Sequence, residues 1–473
     1  MALSVEKITF AYTREGRPIL QQFSARFEKD AITVLTGASG CGKSTLLYLM
    51  AGIYPGDAGF LREGVVTVDG QDPARLPPPE KCAVIGMMFQ NPELQFCMDT
   101  VENELIFCLE NRCIPPGEIP ARVDDALKFC GISTLRHRTL LSLSGGERQK
   151  VMLACTVALQ SQWLLLDEPF ANVDEQSAAQ IAQKLRRLHK ERQVGIVAVD
   201  HRLDHWLQVA DTLCVMENGA ITETAPMDHP PASDWLEEKG IIVPHRPYRA
   251  PVSHREAGNT ALSLRHVTVR LGGKPVLLDC SADFAAGQVH AILGESGCGK
   301  STLFGAVTGL CKYAGTVTVA GTDVKKRRRL APGTLGLVTQ NPQDQFVFDT
   351  VYEEVYKSLL SKGEKVARAE AEQALRQSNL WRYRDLSPYM LSQGQQRRLG
   401  VTALLSYDCS VLLCDEPTYA QDRRNTVALM DGLTRQAGEK GVCLLFSTHD
   451  SELAESYADV IWRLEGGKLY AQS

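Results

Sequence analysis

No run of about 18 or more apolar residues occurs in this 473-residue chain, so no segment reads as a bilayer-spanning helix. A basic surplus is missing as well. Lys plus Arg number 51 against 56 Asp plus Glu, and a net charge of −5 gives no general case for nucleic-acid binding. The opening residues MALSVEKITF lack a charged segment followed by an apolar one, and a secretory signal is not expected there. Fourteen cysteines are present, yet C-x-x-C is absent, and no histidine set accompanies the spaced pairs Cys108/Cys113 and Cys409/Cys414. Buried reduced thiols of a cytosolic protein fit that scatter better than a disulfide framework or a metal site. The histidines between His229 and His254 read as linker rather than as metal ligands. What remains, 44% hydrophobic and 23% charged, is a globular composition with material for more than one core.

The chain repeats itself. QNPELQF (Gln90 to Phe96) returns as QNPQDQF (Gln340 to Phe346), each followed closely by DTV. GASGCGKST at Gly37 pairs with GESGCGKST at Gly294, LSGGERQ at Leu143 with LSQGQQR at Leu391, and LLLDEP at Leu164 with LLCDEP at Leu412. His201 pairs with His449. The reading is a duplicated domain, 1–228 and 259–473, joined by a linker over 229–258. Prolines at 230, 231, 244, 247 and 251 argue against a continuous helix in that linker, leaving room for one short helix over Ser233 to Lys239. Each copy alternates short apolar runs such as AITVLTG and WLLLDEP with amphipathic helical stretches. That pattern predicts an α/β domain with a largely parallel sheet.

Gly37, Ala38, Ser39, Gly40, Cys41, Gly42, Lys43, Ser44 and Thr45 lie between an apolar strand and a helical LLYLMAGI. Strand, glycine-rich turn and helix are the context that a phosphate-binding loop needs. Glycines let backbone N–H groups converge on phosphate oxygens, and the helix N-terminus adds favourable partial charge. Lys43 is expected at the β- and γ-phosphates and Ser44 on Mg²⁺. Gly294, Glu295, Ser296, Gly297, Cys298, Gly299, Lys300, Ser301 and Thr302 repeat the arrangement after HAIL. LLLDEP and LLCDEP end an apolar strand in two adjacent carboxylates, which is costly unless a cation or a proton-transfer task compensates. Asp167 and Asp415 are the expected Mg²⁺-associated carboxylates. Glu168 and Glu416 are the candidates for polarising an attacking water.

LSGGERQ, placed between the phosphate loop and LLLDEP, resembles the signature of ATP-binding cassette (ABC) ATPases, and the resemblance covers both repeats from end to end. It implies two tandem P-loop nucleotide-binding domains, each a RecA-like core with an antiparallel β subdomain and a helical subdomain carrying the signature. ATP and Mg²⁺ are the implied cofactors, with ATP hydrolysis coupled to transport the implied activity. Ser144, Gly145, Gly146 and Glu147, and in the second copy Ser392, Gln393, Gly394 and Gln395, would contact the γ-phosphate held by the opposite domain in a head-to-tail pair within one chain. His201 and His449 match the switch histidine. Asp174 and Asp422 match the loop that communicates across the pair, and Gln90 and Gln340 the glutamine that approaches Mg²⁺ and the water. Tyr12 resembles the aromatic that stacks on adenine, worth about 1–3 kcal/mol for a flat base. The aligned position in the second copy is Leu271, while Gln393 and Gln395 depart from the usual signature, so two hydrolytic sites of unequal rate are expected.

Membrane-free ABC ATPases fall into unlike classes. Those acting on ribosomes or nucleic acid typically carry a long charged linker and a basic surface, and tandem ATPases of sugar importers often lose catalytic residues in the second copy. Here the linker is short and proline-punctuated, the chain is acidic, and Lys300, Asp415, Glu416 and His449 are all present. QNPELQFCMDTVENEL and QNPQDQFVFDTVYEEV resemble the form found in energy-coupling factor (ECF) transporters, which import vitamins, their precursors and transition-metal ions. That resemblance implies a peripheral motor on the cytoplasmic membrane face, with a transmembrane coupling subunit, a small membrane substrate-binding subunit and no nucleic-acid partner. The segments after Gln90 and Gln340 would meet the coupling subunit, the Gln95-Phe96 and Gln345-Phe346 pairs facing it. Asp99 or Thr100 and Asp349 or Thr350 read as helix N-caps, with Glu102, Glu104, Glu353 and Glu354 favouring the helix dipole. Separate ECF ATPases usually add a C-terminal dimerisation extension, and here fusion is expected to substitute for it. The basic run Lys325 to Arg329 reads as a solvated loop, with contact to anionic lipid as the other reading.

Overall fold

A computed structural model describes residues 2–56, 58–90, 95–171, 173–248, 255–331, 333–407, 409–419 and 421–472, with the side chains at 327–329 and 393 left outside that description. The middle of the first heptad, Asn91 to Leu94, and the side chain of Gln393 therefore fall outside it, as do the last three side chains of the basic run. The chain forms two units, Met1–Pro244 with Asp422–Arg424, and His245–Gln421 with Asn425–Ser473.

In the first unit, the strands Leu20–Glu28, Ala2–Ala11 and Phe60–Val68 form an antiparallel sheet in that order. A second sheet runs Ile85–Met88, Trp163–Asp167, Gly195–Val199, Ile32–Thr36, Thr212–Glu217, Ala220–Pro226. Its first five strands are parallel and the last turns back antiparallel. The strands Ile32–Thr36, Trp163–Asp167 and Gly195–Val199 are buried at every residue, which is why they read as continuous apolar runs instead of alternating ones. Helices Val101–Asn111, Ile119–Cys130 and Gly145–Ala158 form the helical part.

The second unit repeats the plan. Lys274–Ala285, Thr260–Leu271, Tyr313–Val319 and Thr322–Asp323 make the antiparallel sheet. The main sheet runs Leu335–Val338, Val411–Cys414, Cys443–Thr448, Val289–Leu293, Val460–Glu465, Lys468–Gln472. Helices Val351–Ser358, Glu364–Gln377 and Gln393–Leu405 correspond to the three helices of the first unit. The expected α/β plan, with an antiparallel β part and a helical part beside a mainly parallel core, is the one observed.

The stretch read as linker carries structure. Helix Ser233–Glu238 stands where a short helix was expected. Ile241 and Val243 join the core of the first unit, and Tyr248 is buried in that of the second, its hydroxyl 3.0 Å from Asp450. None of the fourteen cysteines forms a disulfide; most are buried, and Cys97 and Cys113 are exposed. Among the described residues no helix is long and apolar enough to cross a membrane.

Candidate active sites

Each phosphate loop leaves a buried strand and enters a helix at a left-handed glycine. Gly37 follows Ile32–Thr36 so closely that a Cβ would meet the Met216 carbonyl oxygen at 2.1 Å. Gly42 and Gly299 occupy the N-cap positions of Lys43–Met50 and Lys300–Val307 with φ of 107° and 112°, where other residues are strained. The buried Lys43 ammonium donates to the carbonyls of Gly37 at 2.7 Å and Ala38 at 3.0 Å. Lys300 does the same with Gly294 at 2.8 Å and Glu295 at 3.0 Å. Each loop thus folds around its own lysine, fixing the charge beside the helix N-terminus.

Asp167 ends its strand fully buried, and neither carboxylate oxygen has a hydrogen-bond partner among the described residues. Burial first, and then the neighbouring Glu168 charge, push its pKa up to about 7 against the opposing pull of Ser44 and Lys43. Two orphaned oxygens beside a phosphate-loop serine are costly in isolation and are the chemistry a divalent cation satisfies. In the second unit burial likewise raises the pKa of Asp415, but the Ser447 hydroxyl donates to it at 2.6 Å and Ser301 also opposes the shift.

Glu168 and Glu416 both adopt positive φ, 50° and 45°, a strained conformation for glutamate that the surroundings must enforce. The Glu168 N–H donates to the Val199 carbonyl at 2.9 Å, and its own carbonyl accepts from Gln149 at 2.9 Å. Glu416 N–H donates to the Ser447 hydroxyl at 2.8 Å, and its carbonyl accepts from Arg397 at 2.6 Å. The two carboxylates are then aimed at the histidines. His201 Nε2 lies 3.2 Å from Glu168, and His449 Nδ1 lies 3.7 Å from Glu416, which also has Lys300 at 3.4 Å. Burial is the largest influence on both and opposes ionisation. His201, Gln90 and Lys43 outweigh it at Glu168 and hold that pKa below the ordinary value, while His449, Lys300 and Arg397 bring Glu416 to about 2. Both glutamates are therefore ionised at neutral pH.

The remaining expected residues divide. Tyr12 is half exposed, ties its hydroxyl to Thr45 Oγ1 at 2.7 Å, and meets Phe10 and Tyr54 edge-on. Leu271 is exposed at the matching end of Thr260–Leu271. Ser144 and Ser392 are N-caps with full capping boxes, closed by Glu147 and Gln395, so the change of Glu to Gln leaves the cap intact. Gly145 and Gly146 open the first of these helices. Asp174 caps Glu175–Arg192 and sits 3.3 Å from Lys150. Asp422 groups with the first unit.

Several residues escaped the sequence reading. Arg397, aligned with Gln149, is buried, and its guanidinium donates to the carbonyls of Asp415 at 3.2 Å, Glu416 and Gln340. Ile242 donates its N–H to the His201 carbonyl at 2.9 Å, so the middle of the stretch read as linker clamps that histidine. Gln95 and Gln345 turn inward. Gln95 accepts from the Phe89 N–H at 3.4 Å and Gln345 from the Thr339 N–H at 3.3 Å, bracing the strand ends that carry Gln90 and Gln340. Phe96 and Phe346 pack partly against the cores. Of each expected glutamine–phenylalanine pair, then, the amide is spent internally and the ring is half-buried. The exposed side chains come one or two residues later, at Cys97, Met98 and Val347.

Comparison with known proteins fits this geometry. A family model described as ABC transporter matches residues 20–171 and again 277–419. The chain belongs to the ABC transporter family. A Bacillus subtilis protein provisionally named an HMP/thiamine import ATP-binding protein is 31% identical over 97% of this chain and 89% of its own length. A Methanosarcina acetivorans protein, provisionally named an ABC transporter ATP-binding protein, is 30% identical over 100% of this chain and 90% of its own. Among solved structures, a model of ribosome-bound archaeal Pelota and ABCE1 superposes with a TM-score of 0.70, covering 98% of this chain and 78% of that one. At 18% identity, that likeness speaks for the fold alone. As a tandem ABC ATP-binding protein, this member of the family binds ATP and hydrolyses it in work coupled to transport.

Proposed function

We propose that this ABC protein is the ATPase of an ECF-type importer, carrying two hydrolytic sites that work against a transmembrane coupling subunit. One observation carries the reading. Around the residues that follow each heptad, both units expose apolar side chains of the kind that marks a docking surface. In the first unit Leu141 is 96% exposed and Met98 is exposed as well, and the Leu140 N–H before Leu141 donates to the carbonyl of Asp99, the residue after Met98, at 2.9 Å. In the second unit Val347 is 78% exposed and Tyr389, aligned with Leu141, stands edge-on to Phe346 at 6.0 Å. Met98 follows Gln90, and Val347 follows Gln340, by fewer than ten residues, so movement at a nucleotide site has a short route to the docking surface.

Within each site, Lys43 and Lys300 would hold the β- and γ-phosphates, with the loop glycines presenting backbone N–H groups. Asp167, Asp415, Ser44 and Ser301, with Gln90 and Gln340, are the residues that would hold Mg²⁺, which when bound neutralises developing phosphate charge. Glu168 and Glu416 would orient and polarise the attacking water, with His201 and His449 beside them. Ser144 and Ser392, with the glycines and polar residues after them, and Asp174 and Asp422 would complete the sites when ATP draws the units together. A vitamin or vitamin precursor is the cargo class that the Bacillus relative's name supports. This chain would sit on the cytoplasmic membrane face and leave cargo recognition to a small membrane subunit.

The test is to replace Leu141 and Tyr389 together by Asp. The expected outcome is unchanged ATP affinity and basal hydrolysis with loss of transport in cells. Transport at the parental rate would remove the docking assignment.

A further inference from the structure

In the first unit one apolar core runs without a break from the parallel sheet into the helices Ile119–Cys130 and Gly145–Ala158. The second unit divides the equivalent core in two. One cluster joins the sheet to Arg423–Lys440 and to Val401, and the other lies among Val351–Ser358, Glu364–Gln377 and the Leu399 and Ala403 side of Gln393–Leu405. Between them, walled by Glu364–Gln377, Gln393–Leu405 and Arg423–Lys440, is a cavity of about 410 Å³. That volume falls among small-molecule pockets, which span roughly 300–1,000 Å³.

The register between the two copies gives the cause. Ala154, Ala158 and Leu188, which pack in the first core, align with Thr402, Ser406 and Gln436, which line the cavity. Lys184 bridges the first unit at the same level, donating to the Phe129 carbonyl at 2.5 Å with its ammonium 5.9 Å from the Phe129 ring. Its counterpart is Gly432, where a Cβ would meet nothing within 4 Å, and the counterpart of Phe129 is Gln377. A filled, apolar seam in one copy has become a polar hollow in the other. The charge of the hollow is one-sided. Lys362 and Glu370 pair at 3.0 Å, and the other charged side chains on its wall, Arg398, Arg435 and Lys440, are all basic.

We propose that this cavity in the second unit binds a small organic anion carrying two or more carboxylate or phosphate groups. Basic side chains supply charge complementarity, and the amides and hydroxyls of Gln377, Thr402, Ser406 and Gln436 supply hydrogen bonds. Its place also gives it a lever. The helix that begins after Ser392 and the helix that begins after Asp422 form two of its walls, so an occupant that bridges them couples to the residues that the ATP cycle moves. The site is distinct from the phosphate loop of the same unit.

The experiment is isothermal titration calorimetry on the full chain saturated with MgADP, using pyrophosphate and citrate as separate probes. At least one probe is expected to bind once per chain, and the choice between them tells phosphate from carboxylate chemistry. Gly432→Glu, which puts a carboxylate into the hollow and replaces a poor helix former by a good one, should weaken binding by about tenfold or more with MgADP affinity unchanged. Arg435→Glu, on the exposed rim, should weaken it as well. Binding of neither probe overturns the proposal. So does binding that both variants leave undiminished, since the anion would then sit elsewhere.

Discussion

Arg397 is the residue at which the two sites part most clearly. A buried guanidinium is expensive unless its donors are used, and here they hold three main-chain carbonyls, those of Gln340, Asp415 and Glu416, with Tyr419 stacked 5.3 Å away. In the first unit Gln149 reaches one carbonyl at the same place, that of Glu168. Both residues steady a glutamate held at positive φ, but the arginine ties the metal-side and water-side segments together and adds charge beside Glu416. Arg397→Gln, measured in a Glu168→Gln background so that only the second site turns over, is expected to lower the hydrolysis rate about tenfold while leaving ATP affinity near its parental value. Unchanged turnover would reduce Arg397 to a filler of space. Arg397→Met, which strands the carbonyls without a donor, should destabilise the second unit by about 2–3 kcal/mol in denaturant unfolding.

At the scale of elements, the loop between each heptad and its following helix is held by a glutamate whose purpose the letters did not reveal. Thr100 and Thr350 cap the helices as expected, each accepting from the N–H three residues on. Glu104 and Glu354, expected to serve the helix dipole, instead bury their carboxylates and reach back to the loop. Glu104 accepts from the N–H groups of Cys97 at 2.9 Å and Met98 at 2.8 Å, and Glu354 from those of Val347 at 2.5 Å and Phe348 at 2.6 Å. Burial raises the pKa of Glu354, and those two N–H groups oppose the shift. The clamp fixes the stretch that exposes Met98 and Val347. Replacing both glutamates by Ala should keep ATP hydrolysis in detergent but lose at least about tenfold in transport, with Gln at both positions restoring much of it because the amide oxygen still accepts. Equal transport by the Ala and Gln variants would deny the clamp a positioning role.

Much at this scale was legible beforehand. Loops, Asp-Glu pairs, caps and the α/β plan could be placed because each rests on local spacing or on one buried strand. What stayed hidden was long-range. Nothing in DEP announces a left-handed glutamate, since the Val199 and Ser447 groups that enforce it lie some 30 residues along the chain. The inward turn of Gln95 and Gln345 could not be told from an outward one, because a glutamine serves either environment. The clamp of Ile242 on His201 lay in a stretch whose prolines advertised only the lack of a long helix.

At the scale of the molecule, duplication has been followed by divergence of site residues and packing. The first unit keeps Tyr12 and a continuous core; the second has Leu271, Arg397 and a core split by a polar cavity. A helical part joined to its sheet through a hollow has fewer apolar contacts to break on opening locally. Hydrogen exchange on the full chain should therefore show Glu364–Gln377 exchanging faster than Ile119–Cys130 by about tenfold or more, and Gly432→Lys should narrow the gap. Matching rates in the two helices would mean that the divided core has no dynamic consequence.

The central claim is that this ATPase works against a membrane partner. It is tested most directly by affinity purification of the full chain from detergent-solubilised membranes of its own cells. The account predicts a multi-span coupling protein and a smaller membrane protein in constant ratio to the chain, both lost when Leu141 and Tyr389 are replaced by Asp. Recovery of ribosomal subunits without any membrane protein would contradict it.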